Sequence, residues 1–440
     1  MLKNLLCAAI TVLMLSCLCG CGNFFAADTA ELLSPPELSG ELAPIAEEIT
    51  KTAGGQYTFK YPSRGDYRSA VVQKDIDNDG ISEAFAFYAT AEGETMTMNI
   101  NVIRSYDGEW KSAAVQSIVA GGVDRLEFCD LDGDGEEEIL VGWEIYGTSE
   151  MQIAVYSLGE NALTQRMLQR YTHFATCDLD EDGKNEVLLV KTNSAEQQNS
   201  AAIYSFTAEG VTELSSCLLD GTAKTVSEPI VAELSTGKPA IYIDEIKGVG
   251  AVTEVLFLEK GSLVNPLFQP DAGETLATLR SVSFSISDIN GDGIIEIPVQ
   301  ESVPSVLTSE VNEKLYLTNW CSFNGESLTN QMTTMINVND GYYYTLPARW
   351  VGNIAILKDT ENRLREIYRY NASDMTVGDK LFYIKAVDIE AWKAGEYSGE
   401  GVSEITRNDE TAFICYISKT AALEGLTLEE IKSDFKLRVE

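Results

Sequence analysis

Asp75-Ile-Asp77-Asn-Asp79-Gly80-Ile81-Ser-Glu83 is a nine-residue word that this chain writes four times. It returns as Asp130-Leu-Asp132-Gly-Asp134-Gly135-Glu136-Glu-Glu138 and as Asp178-Leu-Asp180-Glu-Asp182-Gly183-Lys184-Asn-Glu186. The last copy is Asp288-Ile-Asn290-Gly-Asp292-Gly293-Ile294-Ile-Glu296. Oxygen-bearing side chains at positions 1, 3 and 5, glycine at 6 and an acid at 9 describe a loop wrapped around a hard cation. Ca²⁺ takes about six to eight oxygens, and the glycine permits the sharp turn that gathers them.

The spacing selects among cation-loop architectures. First aspartates stand at 75, 130 and 178, and the next at 288 lies 110 residues further on, about two repeats. A worn copy near the midpoint, Val231-Ala-Glu233-Leu-Ser235-Thr-Gly237-Lys-Pro-Ala-Ile241, keeps its glycine and apolar flanks but has lost most ligands. Four cations are therefore expected at the intact words and none at 232–241. A helix–loop–helix calcium hand is excluded, because it needs its last acid at position 12 and amphipathic helices on both sides. Here the flanks are short apolar runs, Ala84-Phe-Ala-Phe-Tyr88, Ile139-Leu-Val-Gly-Trp143 and Val187-Leu-Leu-Val190, which read as strands. Asp107-Gly108, Glu209-Gly210 and Asn324-Gly325 fall at matching hairpin positions. A repeat near 50 residues with about four strands is the size of a propeller blade. The expected fold is all-β, a β-propeller with a small C-terminal β-rich or α+β segment.

Residues 60–335 resemble the FG-GAP/VCBS-type repeat proteins, whose calcium hairpins join two strands of a propeller blade, as in the integrin α-subunit head. The resemblance implies side-chain ligands Asp75, Asp77, Asp79 and Glu83; Asp130, Asp132, Asp134 and Glu138; Asp178, Asp180, Asp182 and Glu186; and Asp288, Asn290, Asp292 and Glu296. It also implies backbone carbonyl ligands at position 7, from Ile81, Glu136, Lys184 and Ile294. The cofactor implied is structural Ca²⁺, up to four ions. Glutamate rather than aspartate at position 9 departs from the usual pattern.

Lys3 precedes an apolar run from Leu5 to Leu18 that is too short to span a bilayer and has signal-peptide form. It ends in Leu18-Cys19-Gly20-Cys21, which resembles a bacterial lipobox with Cys21 as the lipidated residue and Cys17 as second choice. Residues 1–20 are thus read as a lipoprotein signal peptide and 21–55 as a lipidated tether. Residues 56–340 are the repeats, and 341–440 a degenerate blade with a small module. Thr427-Leu-Glu-Glu430 opens a helix with a capping-box pattern. The implied location is the outer face of a bacterial cytoplasmic membrane, held there by the lipid.

The formal charge of −36 opposes nucleic acid and anionic polymers as partners. Fifteen of the 68 acids are loop ligands, so bound cations offset part of it. The mature chain keeps Cys129, Cys177, Cys217, Cys321 and Cys415, an odd number without paired spacing and a poor disulfide framework. His173 is the only histidine, so any Ser-His or Cys-His nucleophilic system must use it, and zinc lacks its usual cluster. These features favour a monomeric, non-catalytic binding or scaffold protein with a protein or glycan ligand. The alternative is a surface carbohydrate-active enzyme, a hydrolase or lyase, for which Trp143, Trp320, Trp350 and Arg349 are the residues to inspect. An envelope assembly factor is a third reading.

Overall fold

The computed structural model of the chain describes residues 40–437, apart from 93–94, 149, 193–197, 281–283 and 307–314. Cys21, Cys17 and the whole signal region lie outside the described residues. The chain is all-β, built from successive antiparallel sheets, and divides into two compact units. The first holds residues up to Phe128 and Gly135–Leu168, and the second Cys129–Asp134 and Gln169–Glu440.

In the first unit, sheet 1 runs Val71–Lys74, Glu83–Glu92, Thr95–Tyr106, Glu109–Val119, each strand hydrogen-bonded to the next. Tyr57–Phe59 pairs with the far end of Glu83–Glu92. Sheet 2 repeats the meander with Gly122–Cys129, Glu138–Glu144, Met151–Leu158 and Leu163–Tyr171. Both faces of Glu83–Glu92 are covered, which is why Ala84 to Tyr88 is apolar without alternation. Phe85 and Phe87 face Ile139, Val141 and Trp143 of sheet 2, while Ala84, Ala86 and Tyr88 face a helix. That helix, Ala43–Ala53, corrects the expectation of a tether over 21–55. Pro44 starts it, Gly54 ends it in the left-handed region, and Ile45 and Ile49 are fully buried against sheet 1. Two apolar residues one turn apart make this part of the segment an element of the core.

In the second unit, sheet 3 is His173–Cys177, Glu186–Lys191, Asn199–Thr207, Gly210–Leu219. Sheet 4 is Pro239–Lys247, Gly250–Glu259 and Ser262–Val264, with Thr225–Val226 and Ile230–Glu233 both pairing to its first long strand. Leu188, Val190, Ala201 and Ile203 of sheet 3 pack against Ile241, Ile243, Leu256 and Leu258 of sheet 4. The opposite face of sheet 4, Tyr242, Val255 and Phe257, packs on Ile297 and Phe323 of sheet 5. Sheet 5 contains Ile297–Val303, Leu315–Phe323, Leu328–Asn337, Tyr342–Thr345 and Phe435–Leu437. Sheet 6 is ordered Ile354–Asp359, Leu364–Asn371, Thr376–Asp388, Thr411–Ile417, Val402–Arg407.

The expected boundary at 340/341 therefore falls inside sheet 5. Tyr342–Thr345 is one of its strands, and the C-terminal strand returns to pair with it, Tyr344 opposite Phe435. Phe435 stacks on Tyr342 with ring centroids 4.9 Å apart. The helix Leu428–Asp434 forms as its capping pattern requires, with Thr427 Oγ1 accepting from Glu430 N–H. The Glu430 carboxylate does not return to the cap but pairs with Arg349 at 2.8 Å.

Candidate metal centre

Each nine-residue word joins corresponding strands. The first lies between Val71–Lys74 and Glu83–Glu92, the second between Gly122–Cys129 and Glu138–Glu144, and the third between His173–Cys177 and Glu186–Lys191. The fourth precedes Ile297–Val303, and its leading strand is reduced to one bridge, Ser287 to Glu296. At 234–238 the worn copy is a tight turn, with Leu234 N–H donating to Lys238 O at 2.8 Å and Gly237 at φ 81°. It offers no ligand loop.

The four loops share one backbone form. Position 4 has positive φ in every copy: Asn78 57°, Gly133 75°, Glu181 62° and Gly291 82°. Position 6 lies further out, at 88°, 93°, 89° and 89° for Gly80, Gly135, Gly183 and Gly293. Glycine adopts that conformation without a Cβ penalty. The position-1 carboxylate accepts the position-6 N–H, at 3.0 Å for Asp75 and Gly80, 3.0 Å for Asp178 and Gly183, and 2.9 Å for Asp288 and Gly293. Position 5 accepts from position 7: Ile81, Lys184 and Ile294 donate to Asp79, Asp182 and Asp292 at 2.7, 2.9 and 2.8 Å. In the second word Gly133 N–H donates to Asp130 at 2.7 Å.

The position-9 glutamates are the buried floor of the site. Glu83, Glu138, Glu186 and Glu296 are at most 3 % exposed. One oxygen accepts the position-2 N–H, from Ile76, Leu179 or Ile289, at 3.2, 2.8 and 3.1 Å. The position-2 side chains Ile76, Leu131 and Leu179 are buried beneath their loops. Burial pushes Glu186 up to about 7, and the carboxylates of Asp180, Asp182 and Asp178 push the same way. Burial likewise raises Glu83 and Glu296. A cation at such a place removes that penalty by pairing with the charged form.

Three acid sets, Asp75–Asp77–Glu83, Asp130–Asp132–Glu138 and Asp178–Asp180–Glu186, bring one ligand atom from each residue within 4.8 Å of the others. These hard-oxygen donors fit Ca²⁺. Position-5 acids and the position-7 residues stand at the loop tips, where Ile81 is half exposed. The fourth loop differs. Asn290 Nδ2 donates to Asp292 Oδ2 and Glu296 Oε1, both at 3.0 Å, so its amide already satisfies the acids that a cation would bridge.

The other residues singled out by the sequence are structural. Trp143 and Trp350 are fully buried, and Trp320 donates its indole N–H to Thr334 at 3.0 Å. Trp350 Nε1 donates to Glu424 at 3.0 Å. His173 Nδ1 lies 3.2 Å from Glu228 at a strand start. The five cysteines are unbridged, and burial pushes the Cys177 and Cys217 thiols up to about 12. Three features were not anticipated. Arg104 reaches into the first loop, with Nη2 3.0 Å from Asp77 Oδ2 and Nε 3.4 Å from Glu83 Oε1. Lys184 leaves its own loop to donate to Asp132 O at 2.7 Å. Asp220, Glu245 and Glu254 form a fully buried acid cluster outside the loops. No sequence spacing announces these contacts, although a cation facing the glutamate strand was a discoverable signal for Arg104.

No protein family and no curated protein matches the chain. Among solved structures, the rhamnogalacturonan lyase YesW is similar at 12 % identity and TM-score 0.31, over 82 % of this chain and 91 % of its own. A Bacillus licheniformis rhamnogalacturonan lyase gives 12 % and 0.31, over 71 % and 75 %, and the exotype lyase YesX 12 % and 0.30, over 73 % and 83 %. Likeness at these TM-scores assigns neither topology nor chemistry.

Proposed function

We propose that this chain is a calcium-stabilised β-propeller of FG-GAP/VCBS type, lipid-anchored through Cys21 at the bacterial cell surface, that binds a protein or glycan. The observation that carries it is the recurrence of one loop conformation, left-handed at positions 4 and 6 with a buried glutamate behind it, on equivalent hairpins. Such a loop pins two strands and gathers three or four carboxylates that otherwise repel. Asp130, Asp132 and Glu138, and Asp178, Asp180 and Glu186 would hold ions, and Asp75, Asp77 and Glu83 form the matching acid set of the first loop. The ions' contribution is structural, since ligand binding to the folded state alone stabilises it by mass action.

The expected outcome is that chelator lowers the melting temperature of the purified chain, with Ca²⁺ restoring it fully and Mg²⁺ only in part, because Mg²⁺ demands a tighter octahedron. Unchanged melting and metal content would sink the calcium reading. Cys21→Ser should release the protein from membranes without altering the fold. A binding screen against surface glycans and proteins, run with and without Ca²⁺, identifies the ligand class.

The alternative, a carbohydrate-active hydrolase or lyase, has one observation in its favour. Among the described residues, a cavity of about 280 Å³ in the second unit is lined by Lys358, Arg365, Gln300, Asn337, Asn339 and Tyr316. Cationic and amide donors in so acidic a chain suit an acidic sugar. The buried cluster of Asp220, Glu245 and Glu254 offers no second route to catalysis, because its side chains are sealed from any polysaccharide. Cleavage of an acidic polysaccharide, lost in Arg365→Ala and Lys358→Ala, would replace the binding reading with the enzyme.

A further inference from the structure

We propose that Arg104 is the tethered counter-ion of the first loop, so that this loop works without a metal ion while the third requires one. The inference rests on the calcium reading above and refines it.

Strand register makes the comparison. Ala84 pairs with Ile103, Ile139 with Tyr156, Val187 with Tyr204 and Ile297 with Cys321. One step further along each antiparallel pair, the position-9 glutamate faces Arg104, Ser157, Ser205 and Ser322. One structural position thus holds an arginine once and a serine three times. Arg104 spans the acids at positions 3 and 9, the same carboxylates that a cation would bridge. Its planar fork suits paired carboxylates. It is supplied by the adjoining strand, so its capture costs no loss of a free ion's translational freedom. A divalent ion entering this loop must first displace it.

The third loop shows the opposite state. Asp178, Asp180, Asp182 and Glu186 accept backbone N–H groups, and no cationic side chain among the described residues pairs with them. Lys184, the one cation within the word, is spent on Asp132 O. Burying Glu186 beside three aspartates with no positive partner is costly, and a hard cation is the remedy that the oxygens fit. The second hairpin is intermediate. Arg166 Nη1 donates to Ser157 Oγ at 2.9 Å, and Ser157 Oγ donates to Glu138 Oε1 at 3.0 Å.

The test counts bound Ca²⁺ per chain by calorimetry and elemental analysis, in the wild type and in four variants. Asp180→Asn and Ser205→Arg should each lose one ion. Asp77→Asn should leave the count unchanged. Arg104→Ser should gain one ion, and adding Asp77→Asn to it should cancel the gain. Loss of an ion in Asp77→Asn alone, or no gain in a folded Arg104→Ser, overturns the inference while leaving the calcium reading intact. Should Arg104→Ser not fold, Ser205→Arg decides, since retention of the full count there overturns it equally. Absence of any bound ion from wild type and variants alike removes the calcium reading itself.

Discussion

Glu245 sets the sharpest condition on this fold. It lies diagonally from Glu254 on one face of sheet 4, since Glu245 pairs with Val252 and Ile243 with Glu254. Both are fully buried. Glu254 accepts from Asp220 N–H at 3.2 Å, Asn265 Nδ2 at 2.9 Å and Thr275 Oγ1 at 2.7 Å. Asp220 is held ionised by Thr222, Thr275 and Lys247. Among the described residues no N–H donor reaches Glu245, and its carboxyl neighbours that of Glu254, so the two share a proton. Burial, then the charge of Glu254, pushes Glu245 up to about 10. A folded value above the unfolded one means that the folded chain holds a proton the unfolded chain releases. The stability from this group is complete below about pH 4.5 and is lost as pH rises toward 10, by up to about 1.4 kcal/mol per unit. Glu245→Gln should therefore match the wild type near pH 5 and surpass it in urea unfolding near pH 9. Equal pH slopes would refute the shared proton. Glu181 makes a simpler case, a non-glycine at φ 62° where the first loop has Asn78 at 57°. Glu181→Asn should gain about 0.5 kcal/mol, because asparagine tolerates the left-handed region better. A loss in thermal melts would contradict that.

The working element is the hairpin, whose loop conformation and core side chain belong together. Leu179, 1 % exposed, is buried under the third loop while its N–H holds Glu186. Leu179→Ala should cost about 2–4 kcal/mol through the cavity it leaves. It should also weaken cation binding at Asp178, Asp180 and Glu186, because the glutamate floor loses its fixed height. Denaturant unfolding with and without Ca²⁺ separates the two effects. Full stability with unchanged affinity would show that the loop stands independently of what lies beneath it.

At the scale of the molecule, the second unit ends by returning to itself. Phe435 packs against Tyr342 and Phe413 between sheets 5 and 6, and its strand pairs with Tyr342–Thr345. Phe435→Ala should cost about 3–5 kcal/mol. Its effect should appear as loss of protection at both Tyr342–Thr345 and Thr411–Ile417 in hydrogen exchange, since one core serves both sheets. Protection lost only at the terminal strand would mean that the last residues merely lie on a finished core.

Local chemistry was legible without coordinates. The Asp-x-Asp-x-Asp-Gly words, their strand flanks and the Asp107-Gly108 turn each act within about ten residues, where glycine conformation, side-chain reach and alternation leave few options. The same holds for the helix opened by Thr427. What the sequence alone could not decide depended on register and on which faces meet. Arg104 stands 27 residues from Asp77, and only strand pairing brings its guanidinium into the loop. Glu245 and Glu254 become a proton-sharing pair because a hairpin sets them diagonally on a face that sheet 3 then buries. Ile45 and Ile49 become core because sheet 1 leaves a face for them. Each outcome rests on contacts between segments remote in sequence, and the energy of a buried charge is set by those neighbours rather than by the residue that carries it.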